Sequence, residues 1–208
     1  MRLAIVGAGG HGKVAGEIAE QNGWDVYFFD YNYPELKACG TWPVIGNDDE
    51  LLSYKERFKH VFIAIGDNKL RKQKSEQFIQ AGFEVISLIS KHAYVSQYAT
   101  IEQGALVVAK ACINPYVTIG EGVIINTGAT VDHDCNIESF CHISPGVNLA
   151  GGVTISTLSW VGIGATIIQN VFVGKGVIVG AGATVIDSVK PYQTVVGCPA
   201  VSISNKNS

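Results

Sequence analysis

An aliphatic residue returns at every sixth position of the chain from Val95 to Val185 without a skip. Four residues after each of these positions, a second register holds mostly small residues or valine, as at Ala105 and Val123. A period of six fits neither a helix nor a simple strand, so it predicts a repeating supersecondary unit. The positions of the first register are Val95, Ile101, Val107, Ile113, Ile119, Ile125, Val131, Ile137, Ile143, Leu149, Ile155, Val161, Ile167, Val173, Val179 and Val185.

The repeating unit is a hexapeptide, and three hexapeptides make one triangular coil of a parallel β-helix. Coils stack at a strand spacing of ~4.8 Å, and each coil buries its aliphatic residues against those of the next. Glycines cluster at the remaining positions, as in the segment 161–164, where tight corners need backbone angles that other residues resist. An ordinary antiparallel β domain would produce this period only by accident. The stretch resembles the left-handed β-helix of the hexapeptide-repeat acyltransferases, and the handedness is implied by that resemblance alone.

The first third of the chain has a different pattern, a short apolar run at residues 2–6 followed by the glycine-rich loop 7–12. A helical segment from Lys13 to about Asn22 and a strand, 26–29, ending at Asp30 complete a β-α-β arrangement. In such units, backbone N–H groups and a helix N-terminus bind phosphate while an acidic side chain reaches a ribose hydroxyl. A tight glycine turn with no ligand would give the same pattern.

The remainder of this region predicts a strand at 61–65 ending in Gly66, a polar helix from Lys69 to about Ala81, and a strand at 84–89. About four strands make half of a dinucleotide-binding fold, which suits a mononucleotide. Arg71 is either a phosphate contact or a solvated helix charge. The predicted fold is therefore an α/β half-Rossmann domain, residues 1–90, followed by an all-β left-handed parallel β-helix with a C-terminal cap, residues 91–208.

Composition narrows the function classes. The 208 residues are 47% hydrophobic and carry a formal net charge of −3, so no broad basic surface favours nucleic acid or anionic lipid. The N-terminus lacks the pattern of a signal peptide, and no apolar run is long enough to span a membrane. A cytoplasmic protein is expected. Five scattered cysteines, an odd number, argue against a disulfide framework.

Candidate chemistry lies in the middle of the β-helix. His133 and Asp134 occupy outward corner positions of their hexapeptide, and Gly151 follows His133 by eighteen residues, one coil later. A carboxylate beside an imidazole raises the basicity of a general base, although a corner histidine is often only solvated. A zinc site is not expected, because Cys135 and Cys141 occupy the inward register while His133 points outward.

Four segments together resemble the nucleotide-sugar N-acetyltransferases. They are Gly9-Gly10-His11-Gly12, the strand end 63–66, the segment Ile125-Asn126-Thr127-Gly128-Ala129-Thr130-Val131-Asp132-His133-Asp134-Cys135, and the closing Val196-Gly197-Cys198-Pro199-Ala200. The resemblance spans essentially the whole chain. It implies acetyl-CoA as cosubstrate and a UDP-linked 4-amino sugar of the bacillosamine type as acceptor, for surface or protein-linked glycan assembly.

The resemblance also implies a site. His133 would be the general base, Asp134 its partner and Asn126 a polar contact near the reacting amine. Relatives often carry Glu where this chain has Asp134, which leaves the strength of that hydrogen bond open. The implied acetyl-CoA contacts are His142, Gly151, Ile163 and Ala181. The implied nucleotide contacts are Gly9, Gly10, His11, Asp30 and Gly66.

The implied mechanism is direct attack of the sugar amine on the thioester, with no covalent enzyme intermediate. A homotrimer is expected, because a side chain on the outer corner of a convex prism has no pocket of its own. Alternatives are an O-acetyltransferase acting on sialic acid and an acyltransferase acting on a GDP-linked amino sugar. Two other classes are a nicotinamide-dependent oxidoreductase, favoured only by the glycine loop and Asp30, and a non-catalytic trimeric scaffold.

Overall fold

A computed structural model describes residues 1–203 of the protein. Its backbone divides into two compact units, Met1–Lys91 and a second unit that begins at His92.

The first unit is a parallel sheet of four strands in the order β2-β1-β5-β6, with three helices in the connections. Its elements are β1 (Arg2–Val6), α1 (Gly10–Gln21), β2 (Asp25–Phe29), β3 (Ala38–Cys39), β4 (Trp42–Pro43), α2 (Asp48–Ser53), β5 (His60–Ile63), α3 (Asn68–Gln80), β6 (Glu84–Val85) and β7 (Leu88–Ile89). Apolar residues of all four sheet strands are buried, which places the core of this unit on the sheet. The predicted half-Rossmann fold is confirmed.

Two local predictions for this unit were inexact. Helix α1 begins at Gly10 rather than Lys13, because Gly9 provides the extended backbone that precedes the first helical turn. The predicted strand at 84–89 is two short strands, β6 and β7. The β3–β4 hairpin and helix α2 were not predicted from the sequence. Helix α2 has a capping box between Asn47 and Glu50, a signal that is visible in the sequence.

The second unit is a parallel β-helix whose coils place two-residue strands on three faces, and it ends in two strands of three residues, β24 and β25. Face A carries β10 (Leu106–Val107), β13 (Ile124–Ile125), β16 (His142–Ile143), β19 (Trp160–Val161), β22 (Ile178–Val179), β24 (Thr194–Val196) and the antiparallel β25 (Val201–Ile203). Face B carries β8 (Tyr94–Val95), β11 (Cys112–Ile113), β14 (Thr130–Val131), β17 (Asn148–Leu149), β20 (Thr166–Ile167) and β23 (Thr184–Val185). Face C carries β9 (Thr100–Ile101), β12 (Thr118–Ile119), β15 (Asn136–Ile137), β18 (Thr154–Ile155) and β21 (Phe172–Val173).

The hexapeptide register determines which side chains point inward. Strands on one face pair eighteen residues apart, as Val131 pairs with Leu149. Every aliphatic position of the six-residue series from Val107 onward is buried, and only Val95 and Ile101, in the first coil, are partly exposed. Burying each such side chain contributes about 1.5–3 kcal/mol. The turns between faces form three edges, named AB, BC and CA after the faces they join.

Within residues 1–203, no helix combines the length and the apolar character needed to cross a membrane.

Candidate active site

A cavity of about 430 Å³ opens in the first unit beside the carboxyl ends of β1 and β5. The five residues predicted to contact a nucleotide all line it, namely Gly9, Gly10, His11, Asp30 and Gly66. Ligands of open parallel sheets bind at this edge, outside the carboxyl ends of the strands. Space is available at the loop, since a Cβ built on Gly10 would have nothing within 4 Å.

Asp30 orders the glycine loop as well as lining the cavity. Its Oδ2 accepts a hydrogen bond from the Ala8 N–H at 2.8 Å, and its Oδ1 accepts one from the Asn32 N–H at 2.9 Å. The side chain is almost fully buried. Each carboxylate oxygen retains one further acceptor position, so the predicted ribose contact stays a prediction.

His11 is held neutral. Burial, and after it the charge of Arg71, lowers the pKa of His11 to about 4. Arg71 is 1% exposed, so the expectation of a solvated helix charge was wrong. Its guanidinium donates to the carbonyl oxygens of Ile65 and Gly66 and to Oδ1 of Asn68, which anchors the loop between β5 and α3.

The cavity also has charged lining residues that the sequence did not single out. Lys74 on α3 and Asp48 at the start of α2 both line it, and the two side chains form an ion pair. The pair neutralises most of the charge that Lys74 would otherwise present to a ligand.

His133 and Asp134 lie on edge BC, where the sequence register placed them. His133 Nδ1 is 2.7 Å from Oδ2 of Asp134. A carboxylate only accepts hydrogen bonds, so Nδ1 of the neutral ring carries the proton and Nε2 is left unprotonated. The hydrogen bond from Asp134, followed by the charge of Asp132, raises the pKa of His133. Both features are those of a general base.

Gly151 makes room for the imidazole ring. A Cβ built at Gly151 would lie 2.6 Å from Cε1 and 2.7 Å from Nε2 of His133, closer than real atoms approach. Within residues 1–203, the backbone N–H of Gly151 donates to no protein acceptor. An unsatisfied N–H beside a candidate base is the arrangement that stabilises an oxyanion. His133, Asp134 and Gly151 line one shallow cavity of about 450 Å³.

A second group of predicted residues lies on face A and edge AB. Asn126 Nδ2 lies 3.1 Å from Nε2 of His142, and Asn126 Oδ1 accepts from the Thr127 N–H at 2.8 Å. The amide nitrogen therefore donates to Nε2, and the neutral His142 ring carries its proton on Nδ1. The His142 ring packs against Trp160 at a centroid distance of 4.3 Å.

These residues line a largely apolar cavity of about 440 Å³ together with Ile163 and Ala181, both predicted acetyl-CoA contacts. Ser144 lines the same cavity and was not predicted. It is almost fully buried, and its hydroxyl has no hydrogen-bond partner in the part of the chain that is described. An extended acyl-CoA arm would fit a groove of this character on the outside of the β-helix.

One chain does not bring the two groups together. Asn126 begins edge AB and His133 lies on edge BC, so the width of face B separates them. Between them run the turn at Thr127–Gly128 and the strand Thr130–Val131. The predicted meeting of His133 with Asn126 and His142 therefore depends on the predicted contact between neighbouring chains.

Residues 1–203 contain no group of three or more His, Cys, Asp or Glu side chains placed to hold a metal ion. Cys135 and Cys141 are buried, as their register predicted. Burial raises the pKa of the Cys135 thiol to about 11, so this thiol is protonated at neutral pH.

Comparison with known proteins places this geometry in context. Residues 2–78 match the family described as the PglD N-terminal domain. The chain is 35% identical over 111 residues to the UDP-N-acetylbacillosamine N-acetyltransferase of Bacillus subtilis. That match covers 51% of this chain and 51% of the relative, so it extends over about half of the relative's length.

Among the solved structures that align over nearly the full chain are two acetyltransferases. One is a variant of the GDP-perosamine N-acetyl transferase from Caulobacter crescentus, in complex with CoA and GDP-perosamine. It is 35% identical, with 99% of this chain and 98% of that chain covered and a TM-score of 0.95. The other is the acetyltransferase domain of PglB from Neisseria gonorrhoeae, in complex with acetyl coenzyme A. It is 40% identical, with 97% and 98% covered and a TM-score of 0.93.

Proposed function

Because the chain belongs to the nucleotide-sugar N-acetyltransferases with a parallel β-helix, we propose that it transfers an acetyl group from acetyl-CoA to the amine of a UDP-linked 4-amino sugar. The observation that carries the proposal is the pairing of His133 with Asp134 beside the unsatisfied N–H of Gly151. This arrangement supplies a base and an oxyanion donor at one point of the surface, which are the two groups that direct acyl transfer to an amine requires.

In the proposed reaction, the sugar binds with its amine as a free base near Nε2 of His133. The amine nitrogen attacks the thioester carbonyl carbon while Nε2 accepts a proton from that nitrogen, and the Gly151 N–H binds the oxygen of the tetrahedral intermediate. The C–S bond then breaks and CoA leaves as the thiolate. Asp134 favours the imidazolium that forms, because its carboxylate accepts the hydrogen bond from Nδ1. Holding both substrates together replaces a bimolecular encounter with a positioned one.

Acetyl-CoA is proposed to lie along the apolar cavity at edge AB, against His142, Ile163 and Ala181. Since this cavity and His133 are on different edges of one chain, we propose a homotrimer in which edge BC of each chain faces edge AB of the next. A ring of three such contacts closes, as cyclic heterologous interfaces do. Asn126 and His142 would then complete the neighbouring chain's site.

The nucleotide is proposed to bind the cavity of about 430 Å³ in the first unit, with its phosphates at the glycine loop and the N-terminus of α1. Neutral His11 would offer that ligand a hydrogen bond and no charge. A GDP-linked amino sugar is the second candidate, because the Caulobacter crescentus relative was solved with GDP-perosamine.

A paired assay tests this proposal. Free CoA release and mass increase of the sugar are measured with UDP-linked and GDP-linked 4-amino sugars and with CMP-sialic acid, each with acetyl-CoA. We expect N-acetylation of the UDP-linked sugar at the highest kcat/KM, with the same ligand raising the melting temperature of the protein. A higher kcat/KM for the GDP-linked sugar would show that the nucleotide is GDP and not UDP. If none of these acceptors were acetylated, the proposed activity would be contradicted.

A further inference from the structure

A second carboxylate adjoins the proposed base. Oδ1 of Asp132 accepts a hydrogen bond from Nδ2 of Asn114 at 2.8 Å and another from the backbone N–H of His133 at 2.8 Å. Asn114 belongs to the preceding coil of edge BC, eighteen residues earlier. This one oxygen of Asp132 therefore joins the side chain of Asn114, on the preceding coil, to the backbone N–H of His133.

The chemistry of the groups settles how Asn114 is oriented. A carboxylate accepts hydrogen bonds and donates none, so the side of Asn114 that faces Asp132 must be its NH₂ group. Its oxygen lies on the other side, 3.6 Å from the Sγ of Cys112. Asn114 is therefore a fixed donor, directed at Asp132.

The two carboxylates differ in what they do to His133. Asp134 accepts from Nδ1 of the ring, which is the largest cause of the raised pKa of His133, and the charge of Asp132 is the second. The hydrogen bond from Asn114, and after it the one from the His133 N–H, lowers the pKa of Asp132. Asn114 thereby favours the ionised form of Asp132.

Within residues 1–203, the surroundings add no other charge at neutral pH. The residues that approach this part of edge BC from the coils before and after it are Asn114, Pro115, Tyr116, Ala150, Gly151, Gly152, Gln169 and Asn170. Asp132 and Asp134 are thus the charged groups that face the imidazole along this edge of the chain.

We infer that Asn114 and Asp132 are positioning residues for the proposed base: Asn114 holds an ionised Asp132 against the backbone of His133, where its charge favours a basic imidazole. Asp134 fixes the ring tautomer, and Asp132 adds a second negative charge that acts on the imidazole through the backbone and the field of its carboxylate. The inference rests on the proposed role of His133, and it extends the site to a residue one coil away.

Asp132→Asn tests the charge. The substitution keeps the shape of the side chain and removes its charge, so the midpoint of His133 protonation falls. NMR of the imidazole measures this midpoint, and the His133 signal is identified by its absence from His133→Ala. We expect the midpoint to move to lower pH in Asp132→Asn. The acidic limb of kcat should move in the same direction. Unchanged midpoints in both measurements would overturn the inference.

Asn114→Ala tests the positioning. Losing one hydrogen bond to a charged group on an exposed edge should lower kcat roughly three- to tenfold, with KM for acetyl-CoA unchanged. Because Asn114 acts through Asp132, adding Asn114→Ala to the Asp132→Asn variant should change the kcat of that variant by less than about twofold. Equal effects of Asn114→Ala in both backgrounds would overturn the coupling.

Gln103→Ala is the matched control. Gln103 Nε2 donates to Oε1 of Glu121 at 3.1 Å, also across eighteen residues, but on edge CA. Gln103→Ala should leave kcat and the acidic limb of its pH profile unchanged. If Gln103→Ala lowered kcat as much as Asn114→Ala does, the role of Asn114 would be only to connect two coils. Full turnover in His133→Ala would remove the proposed base itself, while the NMR midpoint in Asp132→Asn would still decide whether Asp132 acts on the ring.

Discussion

The proposed base works from an exposed position, so its orientation depends on its immediate neighbours. Asp134 adopts a left-handed backbone conformation, with φ of 60°, and thereby directs its carboxylate back to Nδ1 of His133. Asp is among the few residues that tolerate this region. The absence of a side chain at Gly151 leaves space for the ring on the next coil. The precision of the site thus comes from corner geometry and not from burial.

His133→Ala should leave the fold intact and lower kcat about 10²- to 10⁴-fold, the usual contribution of a general base. The base acts when neutral, and its hydrogen bond with Asp134 raises the pKa of His133, so wild-type kcat should fall as the pH decreases through that raised pKa. That limb should be absent from His133→Ala. Stopped-time assays across pH provide the measurement, with the exposed His92→Ala as control. Turnover within about threefold of wild type would mean that His133 is only a solvated corner residue.

At the residue scale, the sequence predicted those relations that the repeat dictates. The eighteen-residue register was enough to place Gly151 beside His133, and adjacency was enough to pair His133 with Asp134. Side-chain direction is not part of the register. For this reason no sequence pattern indicated that Asn114 would reach Asp132, that both oxygens of Asp30 would bind backbone N–H groups, or that Arg71 would be buried.

Among the elements, the β-helix coils and the glycine loop carry the two proposed substrate sites. The coils were predictable in detail because one period of six fixes strand, corner and interior positions together. The short helix α2 and the β3–β4 hairpin were not, because they lack a repeating apolar pattern and are stabilised by local caps and packing. The start of α1 was also mispredicted, because the glycines in its first turn have a low helix propensity although they are helical in the structure.

Ile137→Asp should unfold the β-helix. Ile137 is 0% exposed and pairs with Ile119 and Ile155 on face C, so the carboxylate would have no partner in an aliphatic interior. A loss of more than about 4 kcal/mol of unfolding free energy is expected. Circular dichroism and thermal denaturation provide the readout. Asn136→Asp, on the exposed side of the same strand, should be nearly neutral, and an unchanged melting temperature for Ile137→Asp would refute the six-residue register.

Gly10→Val should separate the two substrate sites. The free protein accommodates the valine, since nothing lies within 4 Å of a Cβ at Gly10, but its methyl groups would keep phosphate from the loop backbone. Calorimetry should show loss of nucleotide-sugar binding and unchanged acetyl-CoA binding. Glu17→Val, on the exposed side of α1, controls for valine in the helix. Lost acetyl-CoA affinity with nucleotide affinity retained would contradict the assignment of the two sites.

At the scale of the whole molecule, the proposed activity depends on the assembly of three chains into a trimer. A single chain presents a base and an oxyanion donor on edge BC and an apolar groove with His142 on edge AB. The sequence predicted a trimer because an outer corner of the β-helix is convex and has no pocket of its own. Since edges BC and AB are separate in one chain, the proposed trimer brings edge BC of each chain against edge AB of the next. Each catalytic site would take His133 from one chain and His142 from the next.

Co-expression of two variants in equal amounts under the same affinity tag, with all trimers purified together and assayed, measures this directly. His133→Ala and His142→Ala should each be nearly inactive alone. In randomly mixed trimers with sites shared between chains, about a quarter of the sites combine the two intact edges, so roughly a quarter of wild-type activity should return. Wild type mixed with the double variant should give the same fraction. No activity from the two single variants, with about half from wild type and the double variant, would show that each chain holds a complete site and would contradict the account.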